Sequence, residues 1–526
     1  MYATCPQTRL LGFGLLTITM LGCQRPVDAP PRPRPSNATV PAEPEEMEEL
    51  PAAQPADTGS AAPHDSGTIE FEPEPAGAEP TGAEPADAEP ADAEPGQTEP
   101  GAGDTPVETP ESDAEEGTST GTSAQAALAA ANRAAPVEPA PAEKVVLGSP
   151  DLTAGMPGEG PLTTEQIRAW LGDPRNHRSL EVELPLGLAA GHSLIKGLDQ
   201  NPLTRAKIEL GRQLYLDKRL SVDHTISCAD CHHPDEGWTR HTRFGVGIAD
   251  QTGNRNSPVS YNRILSDVQF WDGRAASLEE QAKGPIENPI EMGNTHEAVV
   301  STVQGIEGYR LQFDTIFPNE GVTIDTIAQA IASFERAVVT GPSPADYHDV
   351  VRAVQAQYDA DEMEELAEDS PELYQRYQRA VEGSREMTAS AIRGRELFFS
   401  DRGGCTACHA GANFTDELYH NLGVGTDQDK PDLGRYEITK KDKDRGAFKT
   451  PTIRNVAVSA PYMHDGSQQT LEEVVQWYDK GGHPNPYLSD KVKQLKLTAE
   501  EKADLVAFMK ALTGPFPTIQ IGRLPQ

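Results

Sequence analysis

Basic residues, aromatics and long apolar runs are all scarce in this sequence. Lys and Arg number 45 against 82 Asp and Glu, for a formal net charge of −37. A surface of that sign repels a phosphate backbone, which excludes nucleic acid as a partner. Phe, Trp and Tyr make up only 6%, while Gly (46) and Pro (45) abound, a balance that excludes a packed core through all 526 residues. Beyond the first two dozen residues, no stretch reaches the roughly 20 apolar residues that span a bilayer. There are only six cysteines, and the patterns described below use all of them, which leaves none for a structural disulfide or a nucleophile.

What is present begins with an export pattern. Arg9 precedes a short apolar run, Leu10 to Met20, and Met20-Leu21-Gly22-Cys23 resembles the cleavage box of bacterial lipoproteins. The expectation is a signal peptide over residues 1–22 and a lipid on Cys23. That places the mature chain in the cell envelope, facing the periplasm and membrane-bound through this anchor alone. Residues 24–150 hold 26 acidic and 5 basic side chains, net −21, and a near-repeat, GAEPTGAEPADAEPADAEP, from Gly77 to Pro95. Such a segment has too little apolar surface to offset its ordering entropy, and Pro with like charge keeps it extended. Residues 23–150 therefore read as a disordered, acidic, Pro/Ala-rich tether.

Folded sequence is expected from near Pro161. Thr163-x-x-Gln166, Ser277-x-x-Glu280, Thr470-x-x-Glu473 and Thr498-x-x-Glu501 look like capping boxes opening helices. Asp346 to Met387 is charged and helix-prone, and strand-like alternation is rare, so the fold class is mainly α. A weak internal repeat stands out. Gly211-Arg212-Gln213-Leu214-Tyr215 and Gly394-Arg395-Glu396-Leu397-Phe398 each precede a Cys-x-x-Cys-His motif, Cys228-Ala-Asp-Cys231-His232 and Cys405-Thr-Ala-Cys408-His409. In that motif two thiols one turn apart bond to haem vinyl groups and the adjacent His ligates the iron. Zinc also takes Cys and His. Two copies that use every cysteine left after Cys5 and Cys23 favour haem. The expected architecture is two cytochrome c-like haem domains, at 160–345 and 391–515, joined by a helical connection at 346–390.

An electron carrier needs both irons six-coordinate, whereas a peroxidase needs one open iron face beside a proton-transfer group. Between the two haem motifs run Arg255-Asn256-Ser257-Pro258, Phe270-Trp271-Asp272-Gly273-Arg274-Ala275, and Gln281 through Gly293 (QAKGPIENPIEMG). After the second come Phe448 through Val456 (FKTPTIRNV) and Pro461 through Ser467 (PYMHDGS). On residue type alone Glu291 reads as a solvated loop acid, Trp271 as core and Gln281 as helix surface. Their joint order and spacing, over roughly residues 200–515, resemble the bacterial di-haem cytochrome c peroxidases and their MauG relatives.

The resemblance implies two covalent haem c groups and roles by position. His232 would hold a peroxidatic haem and His409 an electron-transfer haem. Glu291 would be the acid–base residue over the open iron, with Gln281 and Pro285 lining the same pocket and Trp271 carrying electrons between the haems. Asn256, Ser459 and Pro461 match positions that bind a calcium ion. The implied activity is reduction of hydrogen peroxide with electrons from a small cytochrome c or cupredoxin.

Two departures keep other readings open. Many family members carry a distal His shortly before the RNSP motif. Gly245 to Asn254 holds none, and His241 lies further upstream, where it reads as a surface residue. Where those peroxidases place a Met ligand to the second haem, this chain has Tyr478, as MauG does. A tyrosinate stabilises ferric iron relative to a thioether. Alternatively Tyr478 completes an apolar stripe with Leu471, Val474 and Val475 while Met463 ligates. The alternatives are a MauG-like oxidase that modifies a partner protein through a high-valent haem state, and a non-catalytic electron-transfer di-haem cytochrome.

Overall fold

A computed structural model describes residues 142–526. The signal peptide, Cys23 and the tether through residue 141 fall outside the described residues. The first ordered element lies ahead of the expected start at Pro161. Strand β1 (Glu143–Val146) pairs in parallel with β2 (Leu180–Glu183), Val145 opposite Val182. Residues 143–150 thus belong to the fold and not to the tether, because Val145 and Leu147 are buried in its core. A second small sheet pairs β3 (Tyr419–His420) with β4 (Phe448–Lys449). All else of regular structure is helical. No helix among the described residues is long and apolar enough to cross a membrane.

Twelve helices of eight or more residues carry the fold. These are α1 (Thr164–Leu171), α2 (Arg205–Tyr215), α3 (Leu278–Glu287), α4 (His296–Gly305), α5 (Glu307–Ile316) and α6 (Ile324–Ala337). There follow α7 (Pro344–Gln355), α8 (Ala360–Asp369), α9 (Pro371–Gly383), α10 (Ala389–Phe398), α11 (Leu471–Asp479) and α12 (Ala499–Ala511). Reciprocal capping boxes open α1, α11 and α12 at Thr163, Thr470 and Thr498. Ser277 caps α3 by accepting from the Glu280 amide. Each satisfies N–H groups that a helix start leaves unpaired, worth about 1 kcal/mol.

The internal repeat marks a shared packing device. Helix α2 crosses α6, and a Cβ on Gly211 would overlap the Ala330 carbonyl. Helix α10 crosses α12, and a Cβ on Gly394 would overlap the Asp504 carbonyl. In both cases glycine lets two backbones approach, and the following turn delivers a Cys-x-x-Cys-His motif. Ile208, Leu210, Leu214, Ile327, Ile331 and Phe334 fill the first crossing, and Phe398, Leu505, Phe508 and Leu512 the second. Each such side chain, fully buried, contributes about 1.5–3 kcal/mol.

The C-terminal segment returns to the first core. The Leu162 amide donates to the Leu524 carbonyl at 2.9 Å. The buried Arg523 guanidinium donates to the carbonyls of Met156, Pro157, Glu159 and Gly160 at 2.6–3.1 Å.

Candidate haem sites and the wall between them

The first haem motif forms one helical turn, Cys228–Cys231. The Ser227 amide donates to Asp230 at 2.9 Å, Lys218 holds Asp230 at 2.8 Å, and the His232 amide donates to the Cys228 carbonyl at 3.0 Å. The second forms a tighter turn, Cys405–Ala407, entered through Gly404 at φ 64°. There the His409 amide donates to the Cys405 carbonyl at 2.9 Å. All four cysteines are unpaired.

Each motif opens onto a cavity. Cys231 and His232 line one of about 260 Å³, and Cys405, Cys408 and His409 another of about 250 Å³. Burial pushes the His232 imidazole down to about 4 and lowers that of His409, so both rings stand neutral, the form that binds a metal. The two rings differ in support. His409 Nδ1 bonds the Phe414 carbonyl at 3.0 Å, which leaves Nε2 for the cavity. His232 Nδ1 is buried with no hydrogen-bond partner. The second cavity is mostly apolar, its lining includes the cations Arg263, Lys449, Lys491 and Lys493, and no Asp or Glu lines it. Two thiols, a neutral imidazole, apolar walls and lining cations suit a haem, whose ring is apolar and whose propionates are anionic.

Glu291, Gln281 and Pro285 line the first cavity together with His232. Pro285 lies within α3, and the chain turns at Asn288, where the helix ends. The Glu291 amide donates to the Asn288 carbonyl at 3.0 Å, and Asn288 Nδ2 donates to Glu291 Oε1 at 2.6 Å. Glu291 is therefore a half-buried acid on the cavity wall and not a solvated one. Burial raises its pKa, against smaller lowering effects from Arg274 and Asn288. Gln281, on α3, is half-buried and its side chain makes no hydrogen bond among the described residues.

The loop that lacks a histidine has another task. Gly245, Gly247, Gly253 and Asn254 line the first cavity. A Cβ on Gly247 would sit 2.7 Å from the Glu291 Cα and 2.6 Å from its carbonyl oxygen. The Ile248 amide donates to that same carbonyl at 2.9 Å. Backbone from this loop thus props the Glu291 turn. His241 is exposed, its ring bonded to the Val458 carbonyl at 3.2 Å.

Trp271 lines both cavities, as do Asn256, Ser257, Pro258, Arg263 and Lys449. Its indole N–H donates to the Asn256 carbonyl at 2.9 Å, and its own carbonyl accepts from the Lys449 amide at 2.8 Å. Arg255 clamps this wall, donating to Asp272 and to Asp432, each at 2.7 Å. Asn256, Ser459 and Pro461 all line the second cavity. Asn256 donates its Nδ2 to the Thr242 and Arg243 carbonyls.

Tyr478, on α11, lines the second cavity with Leu471, Val474, Val475 and Met463. The phenol makes no side-chain hydrogen bond among the described residues, and burial pushes its pKa up. It stays neutral unless a metal displaces its proton. Cys408, Asp416 and His420 also cluster within 4.8 Å, but a haem thioether would claim Cys408, and His420 already pairs with Asp416 at 2.8 Å.

The sequence motifs did not single out Gly247, Arg263, Glu335 or the role of Lys449. Glu335 is buried on the first cavity with one oxygen unpartnered, and burial raises its pKa to about 8. Lys449 had the best sequence signal, since it lies within the FKTPTIRNV motif.

Comparison with known proteins agrees with this geometry. The family model described as di-haem cytochrome c peroxidase matches residues 205–353, and that of cytochrome c matches residues 391–513. The chain is 34% identical over 328 residues to the methylamine utilization protein MauG of Methylorubrum extorquens, covering 62% of this chain and 83% of the relative. It is 33% identical over 320 residues to the cytochrome c551 peroxidase of Nitrosomonas europaea, covering 60% and 83%. A crystal structure of a MauG-like protein associated with microbial copper homeostasis aligns at a TM-score of 0.51 with 29% identity, covering 61% of this chain and 93% of that one. A chain with two haem-attachment turns on paired helix crossings, matched by these relatives along most of their length, belongs to the di-haem cytochrome c peroxidase and MauG family.

Proposed function

We propose that this protein is a haem peroxidase that reduces hydrogen peroxide with electrons from a small redox protein, a cytochrome c or a cupredoxin. The observation that carries this reading is the inequality of the two cavities. The His232 cavity gathers a raised-pKa acid, Glu291, with Gln281 and Pro285. The His409 cavity has no acid and is faced by Tyr478. When bound, the haems supply a redox-active iron where peroxide is reduced and a second that stores an electron.

The protein's own residues then do the following. Glu291 takes a proton from peroxide and returns it to the departing oxygen, held in place by Asn288. Gln281 offers a hydrogen-bonding amide to the same space, and Trp271 gives electrons a short aromatic route through the shared wall.

Mixing the holoprotein with peroxide and a reduced small cytochrome or cupredoxin tests this. Rapid, repeated donor oxidation is expected. No reaction with peroxide would instead make the protein an electron carrier.

Tyr478 and the loop without a histidine favour a second reading, a MauG-like oxidase acting on a partner protein. It requires a peroxide reaction with poor turnover of small donors. Both readings use Tyr478 as the second haem's other ligand. Tyr478→Phe is then expected to raise that haem's reduction potential by more than about 60 mV, a tenfold change for one electron, and to alter its ferric spectrum. Met463→Leu is expected to change neither, and the reverse pattern would make Met463 the ligand.

The same reading includes a calcium ion held by oxygens of Asn256, Ser459 and Pro461, since hard cations take oxygen donors. It also places the protein on the periplasmic face of a membrane through a lipid on Cys23, which the Leu10–Cys23 pattern supports.

A further inference from the structure

The wall between the cavities contains a cation that forms no ion pair among the described residues. Arg263 begins a short turn, Arg263–Leu265, and its side chain lines both cavities. Nε and Nη2 donate to Gln269 Oε1 at 2.8 and 2.5 Å, and Nη2 reaches the Val268 carbonyl at 3.2 Å. These acceptors are neutral. Nη1 makes no hydrogen bond, and no carboxylate forms an ion pair with Arg263 among the described residues. The two nearby acids are otherwise committed. Glu417 holds Lys449 at 2.7 Å, Ser266 at 3.1 Å and the Asp267 amide at 3.1 Å. Glu335 is buried and largely uncharged at neutral pH. A guanidinium does not shed its proton, and a half-buried charge without a partner is unfavourable. Gln269 holds Nε and Nη2 and leaves Nη1 free, on a residue that lines both cavities.

We propose that Arg263 is a shared carboxylate anchor. It binds a haem propionate from the wall common to both sites and couples the two haems electrostatically. The inference rests on the di-haem reading. Lys449 lines both cavities too, but Glu417 already neutralises it, so Arg263 is the free charge. A cation between two irons favours the reduced state of each, and its loss must lower both potentials.

The test is a spectroscopic redox titration of the holoprotein, with haem content measured first. Fewer than two haems per chain in the unsubstituted protein would defeat the di-haem reading itself. Given two, R263Q is expected to shift both reduced-to-oxidised equilibria at least tenfold towards ferric, which is 59 mV for one electron. Q269E, which neutralises Arg263 without removing it, is expected to lower both potentials in the same direction and keeps the proposal testable where R263Q fails to fold. Potentials unchanged in Q269E, or a shift confined to one haem, would overturn the shared anchor.

Discussion

Glu291→Gln is expected to slow peroxide-dependent turnover by about 10²–10⁴-fold, the usual contribution of a positioned acid–base group. Gln has nearly the shape of Glu and can still bond Asn288, so haem content and fold should be retained. What disappears is the exchangeable carboxyl proton. Burial raises the Glu291 pKa, so this acid keeps its proton to higher pH than a solvated glutamate. Taking a proton from peroxide requires the ionised form. Turnover should therefore rise with pH through a value higher than that of a solvated glutamate, and E291Q should lack that limb. Gly247→Ala supplies an independent control. It keeps the carboxyl but forces the Glu291 turn aside through backbone overlap, and a displacement near 1 Å can cost about 10²-fold. Its pH limb should persist at reduced rate. Stopped-flow mixing with peroxide across pH measures all of these. Unchanged turnover in E291Q would remove Glu291 from the chemistry.

Features encoded locally were legible in the sequence. The haem motifs, the boxes at Thr163, Thr470 and Thr498, and the Gly-Arg-x-Leu-aromatic repeat each depend on residues a few positions apart. The structure gives the repeat a physical basis, since Gly211 and Gly394 are both helix-crossing contacts. Features that depend on distant partners were not legible. β1 looked like the end of the tether because its own composition is weak, and its order comes from pairing with residues nearly 40 positions later. Arg523 carried no sequence signal, since its guanidinium meets carbonyls more than 360 positions earlier. Arg263 carried no motif at all. What distinguishes it is the absence of a counter-ion, a property that only packing reveals. Glu291 lay between these cases. Family resemblance proposed its role, and the structure places it on the wall of the His232 cavity.

The wall that holds Trp271 and Arg263 depends on the second core staying against the first, and one buried ion pair fixes Arg454, which bridges the two. Asp346, at the start of α7, accepts Arg454 Nη1 at 2.8 Å and Nη2 at 3.0 Å, with both side chains under 10% exposed. Asp346 also accepts from the Ser343 amide and hydroxyl, each at 2.8 Å, closing a capping box. Arg454, from the FKTPTIRNV motif, reaches the Ala412 and Gly187 carbonyls too, and its own carbonyl accepts the Tyr261 hydroxyl two residues before Arg263. Asp346→Ala would leave Arg454 buried and uncompensated, so a loss of about 3–5 kcal/mol is expected in denaturant unfolding. Replacing both members by apolar residues of similar volume, Asp346→Leu with Arg454→Met, should recover much of that loss. The penalty lies in the stranded charge more than in the pair itself. A loss below about 1 kcal/mol in Asp346→Ala would mean that water reaches Arg454. The interface would then be looser than its hydrogen bonds imply, and electron transfer through Trp271 would have to tolerate that motion.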